Sequence, residues 1–131
     1  MSDFIIRADD YSFQVRAIGS PRFFVRLTSP RGNKTTVVFS DFILNDGDEG
    51  RAVEVLHLVE KHGFEIGPAK KVVFQDIYPS FRDENDRTEL VRRHEQIITV
   101  VRKYACDKRL QVESIFLEPK DGKFETVVLM K

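Results

Sequence analysis

The chain has 131 residues, with 21 Lys plus Arg balanced by 21 Asp plus Glu and a single cysteine. That length favours one domain, residues 1–131, large enough for a core of its own. Zero net charge argues against a broad polyanion-binding surface though not against a local basic groove, and the lone Cys106 excludes an internal disulfide or a cysteine zinc cluster.

Residues 4–6 form a short apolar run, interrupted by Asp9 and Asp10. Residues 11–18 alternate, with Tyr11, Phe13, Val15 and Ala17 on one face and Ser12, Gln14 and Arg16 on the other, which predicts a half-buried strand. Gly19-Ser20-Pro21 breaks it. In a second strand Phe23, Val25 and Leu27 alternate with Phe24, Arg26 and Thr28. Pro30-Arg31-Gly32-Asn33 is a turn signal, and the β-branched and aromatic run 35–39 is the returning strand of an antiparallel meander.

Asn45-Asp46-Gly47-Asp48 leads into a helix with Ala52, Val55, Leu56 and Val59 on one stripe, ended by Gly63 after His62. Residues 72–77 follow as a strand, central because it lies between two helices. Asp86 caps the second helix, with Glu89 at the capping-box position. Leu90, Ile97, Ile98, Val101, Tyr104 and Ala105 share its apolar face. Residues 110–117 and 124–130 close the chain as strands around a Lys120-Asp121-Gly122-Lys123 turn, a strong hairpin signal. The expected fold is α/β (α+β): one mixed sheet in the order β-β-β-α-β-α-β-β, an N-terminal antiparallel meander, a C-terminal hairpin and two helices packed on the sheet.

Chemistry concentrates first around 72–89. Asp76 lies near the carboxyl end of a central strand, where open α/β sheets bind ligands. The helix start beyond it offers free N–H groups to an anion, with Arg82 and Arg87 adding charge. The bland alternative gives every residue there a local role, in which Pro79 ends the strand and Asp86 caps the helix. His94 falls within the apolar stripe of the second helix. It reads as a core histidine bonded to a neighbouring acceptor, or more sharply as a catalytic group facing Asp76.

A second constellation is acidic. Asp9 or Asp10 follows the first apolar run, Glu54 lies in the first helix, and Asp76 ends the strand after it. As far as Val101 this element order is similar to the ribonuclease H-like fold, which implies acids holding two Mg²⁺ for phosphodiester cleavage. The chain departs from that pattern in ending with a hairpin rather than a helix. Glu54 also stands on the polar side of its helix, away from the stripe that meets the sheet.

Other chemistries lack their motifs. There is no H-E-x-x-H, P-loop, G-x-G-x-x-G, nucleophile elbow or deaminase P-C-x-x-C. Cys106 stands near a helix end, where the dipole does not favour a thiolate, and reads as a structural thiol. On the first hairpin, Arg16, Arg22, Arg26, Arg31 and Lys34 interleave with Phe23 and Phe24. Such a face suits stacked single-stranded nucleic acid, or is simply an edge protected by charge. Phe24 stands with Arg22 and Arg26 rather than with Val25, so something should cover it.

The expectation is a small intracellular binding domain that is non-catalytic, needs no cofactor and acts through protein–protein contacts at its sheet edge or face. A Mg²⁺-dependent nuclease and a single-stranded nucleic-acid binder are the alternatives. With no signal-like or membrane-length apolar run, the expected location is the cytoplasm, without a membrane partner.

Overall fold

The computed structural model describes residues 4–9, 12–17, 24–27, 36–40, 42, 47, 49–62, 70–78, 84–121 and 123–131. At residues 4, 16, 17, 24, 25, 27, 76–78 and 84–86 it describes the backbone alone. The described elements are β1 (Phe4–Ala8), β2 (Phe13–Ala17), β3 (Phe24–Leu27), β4 (Thr36–Phe39), α1 (Glu49–Lys61), β5 (Lys71–Tyr78), α2 (Glu84–Lys108), β6 (Val112–Lys120) and β7 (Lys123–Met130).

The seven strands form one mixed sheet in the order β1-β2-β3-β4-β5-β7-β6. β1 to β4 are the antiparallel meander, joined at its far end by the single Leu27–Phe39 pair. β4 and β5 are parallel, bridged by α1, and β7 lies antiparallel between β5 and β6. The expected fold class holds, with one strand more than the sequence suggested. Residues 4–8 pair with 13–17 as an edge strand, a segment too short to show its own alternation.

Strand parity decides which residues meet the helices. Phe13, Val15, Val37, Phe39, Val72, Phe74, Val128 and Met130 join Ala52, Val55, Leu56, Val59, Leu90, Ile97, Val101 and Tyr104 in one core. Val73 and Val127 have the opposite parity and stand outside that cluster, although both are buried. Both helices therefore pack on one face of the sheet. They run in the same direction, since Gln96 reaches Glu49, His57 reaches Asp107 and Lys108 reaches Glu60. At the centre of the core, Phe39 and Phe74 are cross-strand partners with stacked rings 5.0 Å apart, and Phe42 meets both edge-on at 5.5 and 4.8 Å. Such pairs add about 0.5–1.5 kcal/mol each beyond their burial.

Helix α2 begins at Glu84, so Asp86 lies inside its first turn and is not the cap. Position 83, just before the helix, is outside the described residues. Glu89 does not serve a capping box either. It accepts from Arg92 Nε at 2.9 Å and Arg93 Nε at 3.1 Å, and also from Arg92 Nη2. At its other end α2 closes with a Schellman pattern: Arg109 N–H donates to Cys106 O and Leu110 N–H to Ala105 O. Arg109 takes the left-handed conformation there, φ 56°. Cys106 is exposed, so it is not the packed structural thiol the sequence suggested. The β6–β7 turn is as expected, with Lys120 opposite Lys123 and Asp121 at φ 52°. No described helix is long and apolar enough to cross a membrane.

Candidate functional site

The carboxyl end of β5 is irregular. Phe74 pairs with Thr126 and Tyr78 with Phe124, so β5 takes four steps where β7 takes two. Asp76 sits in the middle of this bulge. Such bulges break a ladder locally and re-aim side chains, often near sites.

His94 belongs to the same end of the sheet. Its Nδ1 lies 2.8 Å from Thr126 Oγ1, and Thr126 is fully buried on the helix-facing side of β7. His94 itself is half-buried. Burial is the main cause that lowers its pKa, and the Glu95 charge pulls weakly the other way. A neutral imidazole bonded to a buried hydroxyl is a structural tie between α2 and β7. The register brings His94 and the Asp76 backbone to one end of the molecule; the Asp76 side chain lies outside the described residues.

The three acids of the ribonuclease H-like pattern are not brought together. In this sheet the strand beside β5 is β4, the last of the meander. Asp9, at the end of β1, is four strands from β5, roughly 19 Å at about 4.8 Å per strand. Asp9 is already engaged locally: Ser12 N–H donates to its Oδ1 at 2.7 Å, and the Ser12 hydroxyl lies 3.2 Å from both oxygens. Glu54 is exposed on α1. Asp10 lies outside the described residues. Among those described, no three His, Cys, Asp or Glu side chains are grouped to hold a metal ion.

The basic positions fall on the other face. By register Ile5 stands opposite Arg16 and Arg16 opposite Phe24, while Arg7 stands opposite Gln14 and Gln14 opposite Arg26. All six share the parity opposite to Val15, so neither helix lies on their side of the sheet. Arg7 is exposed and Arg26 half-buried. Side chains 16 and 24 are not described, and Arg22 and Arg82 lie outside the described residues. Arg87 is exposed in the first turn of α2, apart from this group.

The helix-free face continues across the sheet. Val38, Val73, Val127 and Phe116 are neighbours in one row. Three large apolar side chains are exposed among the described residues: Ile5 at 49%, Val91 at 41% and Phe116 at 38%. Ile5 and Phe116 both belong to this face, one on each edge strand.

Sequence reading missed two polar groupings. At the carboxyl ends of α1 and α2, His57 Nε2 lies 3.4 Å from Asp107 and its ring 5.0 Å from that of Tyr104, while Lys108 pairs with Glu60 at 3.1 Å. The Tyr104 hydroxyl is buried without a well-directed hydrogen bond, and burial together with the nearby Glu60 carboxylate pushes its pKa up. The second grouping is Glu125, which is buried on β7 although strand alternation reads it as a solvent-facing residue. Neither leaves a signal in the sequence, because each depends on which elements become neighbours. No protein-family model matches the chain, and no curated protein is significantly similar to it.

Proposed function

We propose that this chain is a non-catalytic binding domain that engages a protein partner through the outer strands of its helix-free sheet face, chiefly the edge strand β1 and its neighbours, since Val73 and Val127 at the centre of that face are already buried. One observation carries the reading. Both helices occupy one face, while Ile5 and Phe116, large and exposed, stand on the other at its two edges. Exposed apolar groups framed by polar ones are the usual composition of a contact surface. The row Arg7, Gln14 and Arg26 supplies that polar frame, and Arg is enriched at such interfaces.

The test compares single variants in binding to a partner recovered with the full chain. With a protein partner, Phe24→Ala and Ile5→Ser weaken binding more than Arg26→Ala or Arg22→Ala, since buried apolar anchors dominate such interfaces. If instead the arginine variants lose most and the wild type binds with a steep salt dependence, the partner is nucleic acid.

A further inference from the structure

We propose that the free edge of β1 receives an extended segment of the partner as an added antiparallel strand, with an acidic residue opposite Arg7 and an apolar one opposite Ile5. This rests on the reading of the outer strands as a protein-contact surface and names the form the partner takes there. Among the described strands β1 has a neighbour on one side only. In strand addition, main-chain hydrogen bonds give affinity and alternate side chains give specificity.

The hydrogen-bond phase of β1 follows from its turn. Asp9 N–H donates to Ser12 O at 2.9 Å, so Asp9 and Ser12 are a hydrogen-bonded pair. Such pairs alternate along an antiparallel ladder. With Arg7 opposite Gln14 and Ile5 opposite Arg16, the N–H and C=O groups of Arg7 and Ile5 point at β2. Those of Phe4, Ile6 and Ala8 point outward. The next strands keep the same phase: it turns Arg26 toward β4, where Ser40 N–H donates to Arg26 O at 2.8 Å.

The two edges of the sheet are not equally open. Proline, charge and bulges guard an edge strand against pairing. The opposite edge, β6, carries Glu113, Glu118, Pro119 and Lys120 and a register shift between Val112 and Ser114. β1 holds one charge, Arg7, with no proline and an even register. Shortness is its only guard, and its five residues still present three outward ones.

The flanking side chains select the segment. On the helix-free face, the strand positions of β1 to β4 hold Arg7, Arg16 and Arg26 and no acid. Arg7 is exposed, as is Ile5 on the same strand. Side chains directly opposite on a ladder interact, and opposite charges there are favourable. On the other face Ile6 packs against the core, so an apolar residue suits the position opposite it. Antiparallel addition continues the meander and is the more stable pairing per residue. The segment then reads acidic, apolar, apolar along its own direction. A second copy of β1 would bring further arginines to the same face and no acid, which makes it the poorer occupant.

The experiment follows amide shifts and hydrogen exchange of the ¹⁵N-labelled full chain with the capped peptide Ser-Thr-Glu-Val-Ile-Thr-Ser. In the free chain the Ile6 and Ala8 amides should exchange faster than those of Ile5 and Arg7. The peptide should bind saturably and protect Ile6 and Ala8. Methylating the nitrogen of its valine, which faces β1, should weaken binding about tenfold, while methylating that of its glutamate, which faces away, should not. Lysine in place of that glutamate should weaken it too. Ala8→Pro removes an outward N–H at an exposed position, so it should lose the peptide with the melting temperature nearly unchanged. Absent protection, or equal effects of the two methylations, would overturn strand addition. Protection that grows with protein concentration and needs no peptide would overturn the partner segment in favour of a second copy. If the peptide fails while Ile5→Ser still weakens the partner recovered with the full chain, strand addition falls and the contact surface stands; if Ile5→Ser has no effect on that partner, both fall.

Discussion

His94 shows how one side chain can tie a helix to a sheet. Replacing it by Leu suits the apolar stripe but strands the buried Thr126 hydroxyl, at a cost of about 1–3 kcal/mol. The double variant His94→Leu, Thr126→Val should recover most of that loss in denaturant unfolding, because both polar partners are then gone. The tie is also pH-sensitive. The folded state lowers the His94 pKa below its ordinary 6.5, so the unfolded chain binds the proton more readily. The stability contribution is complete above about pH 6.5 and is lost as pH falls below it toward the folded value. Glu89 acts in a lower window. The Arg92 hydrogen bond is the main cause that brings its pKa from 4.5 to about 2, so its contribution is present above pH 4.5 and lost as pH falls toward 2. Stability measured by unfolding between pH 7.5 and 5 should fall with pH in the wild type, and that dependence should flatten in His94→Leu; an unchanged slope would separate His94 from the transition. His94 was legible in the sequence as a histidine in an apolar stripe, but its partner was not. Thr126 lies 32 residues away, and only the order β5-β7-β6 brings it under α2.

At the scale of elements, local chemistry made α2 and the β6–β7 hairpin readable. A 25-residue amphipathic helix and an Asp-Gly turn need no tertiary information. The boundaries were less legible. The Asp86 and Glu89 pattern resembles a capping box, yet the helix starts at Glu84 and Glu89 is taken by two arginines. Asp86→Ala should therefore lose only a first-turn charge–dipole term, about 0.5 kcal/mol, rather than a full cap of about 1 kcal/mol. The other end has a clearer lever. Arg109 closes α2 in the left-handed region, where glycine is at ease and other residues are strained. Arg109→Gly should raise stability by about 0.5–1 kcal/mol in the same unfolding assay, and a loss would mean that its side chain holds the cap. β1 escaped the sequence reading because five residues beside two acids carry too little pattern. The β5 bulge escaped it too, since residues 72–77 read as one continuous strand and Gln75 and Asp76 carry no bulge signal of their own.

For the whole molecule, the element order carried the fold class but not the strand order. A meander followed by a β-α-β unit fits several sheets. The ribonuclease H-like pattern and this chain differ in which meander strand lies beside β5, and that choice separates Asp9 from Asp76. The core explains why β4 holds this place. Phe39, Phe42 and Phe74 join the two parallel strands beneath the helices, so Phe74→Ala should cost about 3–5 kcal/mol and lower the unfolding midpoint of the sheet and both helices together. With both helices gathered on that side, the opposite face exposes Ile5, Phe116 and Arg7 toward its edges, while Val73 and Val127 at its centre are buried. The most direct measurement of the proposed binding surface is photo-crosslinking in cells, with a benzoylphenylalanine placed in turn at positions 5, 7 and 116 and, as controls, at the exposed helix positions 54 and 103. The expected result is polypeptide adducts at the three sheet positions that exceed those at both helix positions. Adducts spread evenly over all five, or concentrated on the helices, would contradict the account.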